Sequence, residues 1–403
     1  MYKLVFIFLG IIFSNIISKG QSINSFQQID SLSYQQYLNG NWNGLLETGN
    51  LAKKQNIVYP NLGLRLGYAA LMKGNNSLSL KYYQHVLSMN SHQKNALFYS
   101  ALNNLNLFRR DVAIYLAKRL SSDEKKLLNL STHKAIELAD FEISVKPTNT
   151  ETRKTGQYYR IGFGNRINYK WKLYHSVAMY RQVLLAPDSS NIFPRRNGPA
   201  TRNNFRNFLV NDFQYFLKSE YLLSEKISLS NAFHYIRTNF DDAKYNTSII
   251  NLGFKYYTPY ADIKLEINVG PLIDSLLTQV AISSTYFPSG NNSFYGNTRL
   301  SFQSRSNVSQ ANFYQMLGIK LGNKTWLEMN CTLGQIKNLI DNDAFYIYDA
   351  LDAGNFRIGT SLIVPFSDKI TLLTNYYYEQ KKLHLQNNNY NLHSFTTGIS
   401  WKL

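Results

Sequence analysis

The sequence predicts a short helical region followed by a closed antiparallel β-barrel of about 12–14 strands that crosses a membrane. Two observations predict this fold class. The first part of the 403-residue chain is rich in helix formers and repeats a register of 34 residues. From about Glu137 onwards, apolar and polar residues alternate in segment after segment, each roughly ten residues long.

The first twenty residues indicate the compartment. They read MYKLVFIFLGIIFSNIISKG, with one early base at Lys3, an apolar run from Leu4 to Phe13 and then a more polar stretch. This order is typical of a secretory signal peptide. The sequence therefore predicts a signal peptide at residues 1–20, removed near Ser18 to Gln21. An uncleaved anchor is the alternative, although the apolar run is short for a spanning helix.

Residues 21–135 are predicted to form a helical domain. Its clearest segment is LGYAALMKGNNSLSLKYYQHVL, and its 34-residue register places Gly40, Gly74 and Phe108 in correspondence. The small residues Gly67 and Ala101 also correspond, which would let paired helices pack closely. An unrelated helical bundle is the alternative. Neither reading places a reactive group of side chains here, so we expect this domain to bind a partner or to brace the barrel.

Residues 136–403 are predicted to form the barrel. In SIINLGFKYY, for example, Ile250, Leu252, Phe254 and Tyr256 alternate with Asn251, Gly253 and Lys255. One apolar face and one polar face per strand suit lipid outside and a polar lumen inside. A closed barrel also satisfies every backbone group within lipid. A secreted β-sandwich is the alternative, but its strands would need one face buried against a second sheet.

The strand count and the links predict an orientation. Starting the barrel at Glu137 gives about 14 strands, and dropping that strand and merging two others around residues 158–183 gives about 12. Both counts are even, so both termini lie on one side. Short links near Thr258–Pro259 and long links near Thr238–Tyr245 and Gln335–Gly354 alternate along the chain. We therefore expect an outer-membrane barrel of a Gram-negative bacterium, with the helical domain in the periplasm.

The last strand is predicted to close the barrel by pairing with the first. The C-terminal sequence SFTTGISWKL puts on one face the residues Phe395, Thr397, Ile399, Trp401 and Leu403. In outer-membrane barrels this strand also carries the signal that the barrel-assembly machinery reads, and that signal usually ends in an aromatic residue. Here the last residue is Leu403, and the aromatic residue is Trp401.

The polar faces of the strands predict a basic lumen. The inward-facing bases are Arg160, Lys218, Lys255, Lys264, Arg299, Arg305, Lys320, Arg357 and Lys402. The acids on the same faces are Asp212, Glu220, Glu266, Glu328 and Glu379. A basic lumen would attract an anionic solute or an acidic polymer. The alternatives are that these residues pair with one another and fill a closed barrel, or that those near the rims meet lipopolysaccharide phosphates.

The composition excludes several classes of function. The formal net charge is +18, but the bases are spread along the chain, so we expect anionic partners and no nucleic acid. The single cysteine, Cys331, excludes a disulfide within the chain and a cysteine metal site. The seven histidines lack metal-ligand spacing and no glycine-rich phosphate loop precedes a helix, so we expect no metal and no cofactor.

The architecture resembles a known family. A period of 34 residues with small residues at helix crossings resembles the tetratricopeptide repeat. A signal peptide, such a repeat domain and a C-terminal barrel together resemble the YaiO-type outer-membrane barrel family. The resemblance covers nearly the whole chain, implies no catalytic activity and transfers no functional residues. The same order of parts is similar to that of exopolysaccharide exporters.

Three functions follow as hypotheses. The first is passage of a solute or polysaccharide across the outer membrane, or envelope assembly, with a periplasmic partner docked on residues 21–135. The second is a closed anchor whose helical domain recruits an envelope complex. The third is an enzyme acting on lipid or lipopolysaccharide, with His234 near Ser228 and Ser230 as its candidate group. We expect the chain not to be an enzyme.

Overall fold

The structure is a computed structural model that describes residues 25–187, 205–241, 243–272, 275–306, 308–322, 324–348, 352–383 and 388–403. The predicted signal peptide at residues 1–20 lies outside the described residues. The chain divides into two compact units, Met1–Ala96 and Leu97–Leu403. No helix in the described ranges is both long enough and apolar enough to cross a membrane.

Helices make up the described part of the chain before the first strand. They are α1 Phe26–Leu38, α2 Trp42–Lys54, α3 Pro60–Met72, α4 Asn76–Met89, α5 Lys94–Asn106, α6 Arg110–Ala117 and α7 Ser122–Leu127. Helices begin at residues 26, 60 and 94 and again at 42, 76 and 110, so the 34-residue register is the spacing of helix pairs. This spacing does not by itself identify a tetratricopeptide domain.

The turns within the pairs explain the sequence register. Gly40 and Gly74 have φ angles of +66° and +71°, which glycine adopts without steric cost. Each is followed by an asparagine, Asn41 or Asn75, whose side chain accepts a hydrogen bond from the first turn of the next helix. Phe108 holds the third equivalent position and also has a positive φ, of +60°. A phenylalanine in this conformation is strained.

Small residues let α3 and α4 of the first unit pack closely. A Cβ atom added at Gly67 would lie 2.7 Å from the ring of Tyr83, and one added at Gly63 would lie 2.5 Å from Val86. Tyr83 is fully buried, so its ring has little room to move. The apolar core of this unit continues through Ile29, Leu45, Ala52, Leu62, Leu66 and Ala69.

Replacing Gly67 with valine should destabilise the helical unit by about 1–3 kcal/mol, because the side chain would overpack the contact with Tyr83. Asn61→Val in the same helix is the matched control, since Asn61 is exposed and the same β-branched residue is introduced. Thermal unfolding followed by circular dichroism in the helical band measures the difference. Equal melting temperatures for the two variants would contradict the packing argument.

The second unit contains a closed antiparallel barrel of fourteen strands, which confirms the predicted barrel at the higher of the two counts. The strands are β1 Lys134–Lys146, β2 Gly156–Arg166, β3 Trp171–Pro187, β4 Phe205–Ser224, β5 Ile227–Phe240, β6 Ala243–Tyr257, β7 Ala261–Leu272, β8 Ser275–Tyr286, β9 Phe294–Arg305, β10 Val308–Leu321, β11 Thr325–Gly334, β14 Ala353–Pro365, β15 Ile370–Lys382 and β16 Asn389–Lys402. Two short strands, β12 Ile340–Asp341 and β13 Tyr346–Ile347, form a separate hairpin between β11 and β14.

Strand β16 pairs with β1 and completes the ring. Phe395 lies opposite Val145, Ile399 opposite Phe141, and Trp401 opposite Ala139. Leu403 follows the strand, and its backbone N–H donates to the carbonyl of Glu137 at 3.1 Å. The chain therefore continues the ladder of β1 to its last residue.

The barrel wall is apolar outside and polar inside. On β6, Leu252 is 59% exposed, whereas its neighbour Asn251 is fully buried and donates to Asn268 of β7 at 2.8 Å. The same alternation recurs around the ring, with buried glutamates, arginines and amides inside. A soluble sandwich would bury the apolar face instead. The arrangement suits a barrel surrounded by lipid.

Leu252→Arg should destabilise the folded barrel in lipid by about 2–4 kcal/mol, because the charge would enter hydrocarbon near mid-strand. Tyr256→Arg is the control on the same strand and face, close to the end of β6, where about 0–1 kcal/mol is expected. Denaturant titration of both variants in lipid vesicles measures the two values. A cost at Tyr256 equal to that at Leu252 would rule out the predicted lipid belt.

The two ends of the barrel differ. Strand β1 begins and β16 ends at the same end, here called the terminal end, where the links are short, as at residues 225–226 and 258–260. The opposite end, the loop end, carries the long segment between β11 and β14. The predicted long link near Thr238–Tyr245 is wrong, because β5 runs to Phe240 and β6 begins at Ala243. A tight hairpin replaces that loop.

Candidate functional site in the barrel lumen

The segment between β11 and β14 folds back into the lumen. Its described part, residues 335–348, is here called the plug, and it contains the β12–β13 hairpin. Ile340 and Ala344 of the plug are fully buried against Ile249, Leu272 and Leu277 of the wall. The predicted long link near Gln335–Gly354 is therefore, over its described part, an internal element of the barrel.

The tip of the plug is a tight, strained turn. Asn342, Asp343 and Ala344 have consecutive positive φ angles of 52°, 58° and 62°. Asparagine and aspartate tolerate this conformation better than other residues that carry a Cβ atom, but three in succession are unfavourable. Contacts with the wall must offset this strain.

Asp343 makes the central contact at the tip. Its two carboxylate oxygens accept from Lys218 Nζ of β4 at 2.8 Å and from Lys264 Nζ of β7 at 2.5 Å. Its backbone N–H donates to Glu266 Oε1 at 3.2 Å. The Asp343 side chain is only 4% exposed, so each lysine is desolvated and paired at the same time. Such a charge-assisted pair holds the tip in one position.

Asp341 makes a second ionic contact on the other side of the lumen. Arg299 of β9 donates to Asp341 Oδ1, and Arg357 of β14 lies 3.8 Å from Asp341 Oδ2. The guanidinium of Arg357 also covers the ring of Tyr348, 4.6 Å from its centroid. Two plug carboxylates thus engage four cations of the wall.

Neutral contacts complete the binding of the plug. The side-chain amide of Gln279 donates to the carbonyl of Ile340 at 2.6 Å and accepts from the N–H of Ile340 at 3.0 Å. It thus makes the pair of hydrogen bonds that the backbone of a neighbouring strand would make. The ring of Phe345 packs edge-on against Phe216, with centroids 4.8 Å apart. The guanidinium of Arg160 covers the other side of Phe345, 4.8 Å from the ring centroid.

The histidine considered as a catalytic group binds the plug. His234 Nδ1 lies 2.7 Å from the carbonyl of Ala344. Ser228 lies 3.3 Å from the hydroxyl of Tyr257, and Ser230 donates to Asp343 at 3.4 Å. These contacts give His234 a structural place against the plug. Among the described residues, no group of three His, Cys, Asp or Glu side chains could hold a metal ion.

The structure places eight of the nine predicted lumen bases on the inward face, and five of them contact the plug. These five are Arg160, Lys218, Lys264, Arg299 and Arg357. The other three lie elsewhere along the lumen. Arg305 donates to Ser275 and to the carbonyl of Leu272, while Lys255 and Lys320 cover the rings of Tyr257 and Trp326. The ninth, Lys402, is exposed at the terminal end.

A second element contacts the inward face at the terminal end. It is the turn between α5 and α6, here called the helical turn, which consists of Leu107, Phe108 and Arg109. Arg109 Nη2 lies 2.7 Å from Asp262 Oδ1 at the start of β7, and both side chains are largely buried. The ring of Phe108 packs on Tyr295 and Trp326, at centroid distances of 5.3 and 5.6 Å. The strained Phe108 backbone therefore positions a ring against the barrel wall.

Electrostatics strengthen the contact of the helical turn. Burial lowers the pKa of the Arg109 guanidinium, and the carboxylate of Asp262 opposes that shift. Close by, Asp111 of α6 accepts from Arg166 at 2.6 Å and from Lys172. Sequence reasoning missed these residues because it treated residues 21–135 as a separate domain. The signal that could have revealed them is Phe108, where the register has glycine at 40 and 74.

Comparisons with known proteins found similar solved structures only. No family model and no curated protein matches the chain. It is similar to the TodX deltaS2S3 mutant monoaromatic hydrocarbon channel at 6% identity, with a TM-score of 0.49 over 66% of this chain and 89% of that one. It is also similar to the Ralstonia pickettii toluene transporter TbuX, at 8% identity and a TM-score of 0.45 over 66% and 90%. A Pseudomonas aeruginosa FadL homologue gives 6% identity and a TM-score of 0.43 over 75% and 94%.

The predicted membership of the YaiO-type family is wrong. The barrel has 14 strands, whereas YaiO-type barrels have 8–12. The predicted tetratricopeptide domain and the likeness to exopolysaccharide exporters also find no support. The chain forms a closed antiparallel β-barrel of fourteen strands.

Proposed function

We propose that the chain is a gated channel of the Gram-negative outer membrane, which passes a small anionic solute when the plug leaves its place in the lumen. One observation carries this proposal: the plug is tied to the wall by two carboxylates that engage four cations. The terminal end then faces the periplasm and the loop end faces outside, as in other outer-membrane barrels.

The width of the barrel supports a channel. Eight-stranded barrels are narrow enough for wall side chains to fill, and the diameter grows with the number of strands. In this fourteen-stranded barrel, a separate segment of chain fills the space beside Phe216, His234 and Gln279. Moving that segment would leave an aqueous path that wall side chains alone do not block.

The chemistry of the plug contacts supports reversible movement. Water can hydrate Asp341, Asp343 and their partners once they separate, so the net stabilisation from such pairs is small compared with their Coulomb attraction. The apolar contact is made by Ile340 and Ala344 against three wall residues, with Ile347 packed on the same cluster and Phe345 stacked separately. Ile336 and Leu339 of the plug are also buried, so apolar and ionic contacts share the binding of the plug. A plug packed mainly by apolar surface would be harder to displace into water.

The charges exposed by plug movement favour an anion. Without the plug, Lys218, Lys264, Arg299 and Arg357 lose the carboxylates of Asp341 and Asp343. Rings of basic side chains select anions in pores. A hydrocarbon would instead have to pass hydrated charged side chains along this path. The predicted passage of a polysaccharide is not retained, and a periplasmic partner for residues 21–135 stays a prediction, as does recognition of β16 by the barrel-assembly machinery.

Conductance in a planar bilayer tests the proposal. The wild-type barrel is compared with a variant in which a short Gly-Ser linker replaces residues 338–347, after heat-modified gel mobility has shown that both are folded. We expect brief, rare openings for the wild type and a steady, anion-selective conductance for the variant. A folded variant that stays silent would favour the closed anchor, because the lumen would then be blocked without the plug.

A further inference from the structure

A basic patch lies on the outer surface of the wall near the loop end. It consists of Arg181 on β3, Arg237 on β5 and Lys244 on β6, all of them exposed. Each lies at an outward position. Arg237 is in register with the outward residues Phe213 and Asn246, and Lys244 is two residues before Asn246 on the same strand. Arg181 is two residues after Met179, which is also outward. The outward positions of β3 to β6 in the described residues include no carboxylate.

The patch adjoins the apolar belt. On β3, Arg181 is the next outward residue after Met179, and on β5 only Tyr235 separates Arg237 from Phe233. Met179 is 59% exposed and Phe233 is 39% exposed, so the belt reaches the patch. Tyr235, whose hydroxyl donates to Asn246 at 2.9 Å, is an aromatic residue at the boundary. On β5 the order of Phe233, Tyr235 and Arg237 matches that of hydrocarbon, interface and phosphate in a membrane leaflet, whereas on β3 the outward residues Val183 and Leu185 follow Arg181.

Elsewhere among the described residues the outward bases at the loop end are sparse, with Lys382 at the end of β15 as a single further example. Across the barrel, Leu276 is the second residue of β8 and Leu333 is the last but one of β11, and both are exposed apolar residues at the loop end. The belt therefore continues to the strand ends there. Three outward bases lie on neighbouring strands only in the sector of β3 to β6 among the described residues, which indicates a site and not a general coating of charge.

The spacing in the patch fits a head group with more than one phosphate. Arg181 of β3 is in register with Asn211 of β4. Arg237 of β5 is in register with Phe213, two residues further along β4. Two inter-strand spacings separate the arginines sideways, or about 10 Å. Asn211, Asn239 and Asn246 supply amide groups between the charges.

We propose that Arg181, Arg237 and Lys244 bind the phosphate groups of lipopolysaccharide in the outer leaflet. This inference rests on the orientation in the proposed function, with the loop end outside. Arginine binds phosphate through two parallel hydrogen bonds, and lysine adds a point charge. The contact with the apolar belt favours a phosphate that is attached to acyl chains, because both parts of such a lipid would be bound together.

Native mass spectrometry of the full chain in detergent tests this site. The probes are lipid A with two phosphates, lipid A with one phosphate, and inorganic phosphate as a competitor. The variant is Arg181→Gln with Arg237→Gln and Lys244→Gln. The control is Lys53→Gln with Lys54→Gln and Lys73→Gln, which removes the same charge from exposed helical positions.

We expect the patch variant to bind bisphosphorylated lipid A at least tenfold more weakly than the wild type, with no change in the control variant. The monophosphorylated lipid should bind the wild type with intermediate affinity. Equal binding by the patch variant, or displacement of the lipid by millimolar inorganic phosphate, would overturn the proposal. This assay measures lipid binding and not conductance. If the variant without the plug fails to conduct, the proposed channel function is contradicted, but the lipid-binding result is unaffected.

Discussion

Replacing Asp341 and Asp343 together with asparagine is expected to convert a mostly closed barrel into one that is open for much of the time. The two substitutions leave Lys218, Lys264, Arg299 and Arg357 facing the lumen without the plug carboxylates. Removing one partner of a buried ion pair costs about 3–5 kcal/mol when no other partner remains. Here Glu220 stays beside Lys218, and Glu266 stays beside Lys264 and Arg299, so the low end of this range is expected for the two substitutions together. Even roughly 3 kcal/mol against the closed state would shift the ratio of closed to open barrels about a hundredfold.

The measurement is open probability and reversal potential in a planar bilayer with a salt gradient. The open channel of the double variant should be more selective for anions than the open channel of the wild type. The four wall cations are still present in this variant, whereas the two plug carboxylates have been removed. Asp368→Asn with Glu151→Gln is the matched control, because it removes two exposed carboxylates outside the lumen. A double variant that is folded, silent and unchanged in hydrogen exchange over residues 338–348 would refute gating by these ion pairs.

The period of two in the sequence is enough to predict the wall. It separates lipid-facing residues such as Leu252 from inward residues such as Asn251, and it places Lys218 and Lys264 on the lumen side of their strands. The same rule does not apply to a loop. The stretch that contains Asp341 and Asp343 reads as an ordinary polar turn, and Asp343 meets its lysines across 125 and 79 residues of chain. Alternation carries no information on such long-range pairs.

The period of 34 in the sequence is enough to predict helix pairs but not a family. Spacing and small residues such as Gly67 report how helices pack, and many chains share those requirements. The family inference failed because it rested on the order of parts and on a strand count that could be read as 12 or 14. The departure from the register at Phe108 was more informative than the register itself.

Arg109→Leu is expected to release the helical turn from the barrel. The substitution leaves Asp262 largely buried without its ion-pair partner, which costs about 3–5 kcal/mol in the docked state. Undocking also relieves the positive φ of Phe108, which favours release, whereas the packing of its ring on Tyr295 and Trp326 opposes it. Hydrogen exchange over residues 97–117 should become faster, because α5 and α6 lose the contacts made by Phe108 and Arg109.

Two further variants make the test specific. Arg119→Leu is the matched control in the same region, since Arg119 lies 3.7 Å from Glu225 in a partly exposed pair worth about 0–1 kcal/mol. Arg109→Leu combined with Asp262→Leu should restore slow exchange, because apolar residues can replace a buried ion pair at little net cost. If the variant with both Arg109→Leu and Asp262→Leu exchanges as fast as Arg109→Leu, the ion pair is not what holds the turn. The packing of the Arg109 side chain on Tyr257 and Phe287 would then hold it. Unchanged exchange in Arg109→Leu would show that the contacts of Phe108 and Asp111 suffice to hold the helical turn against the barrel.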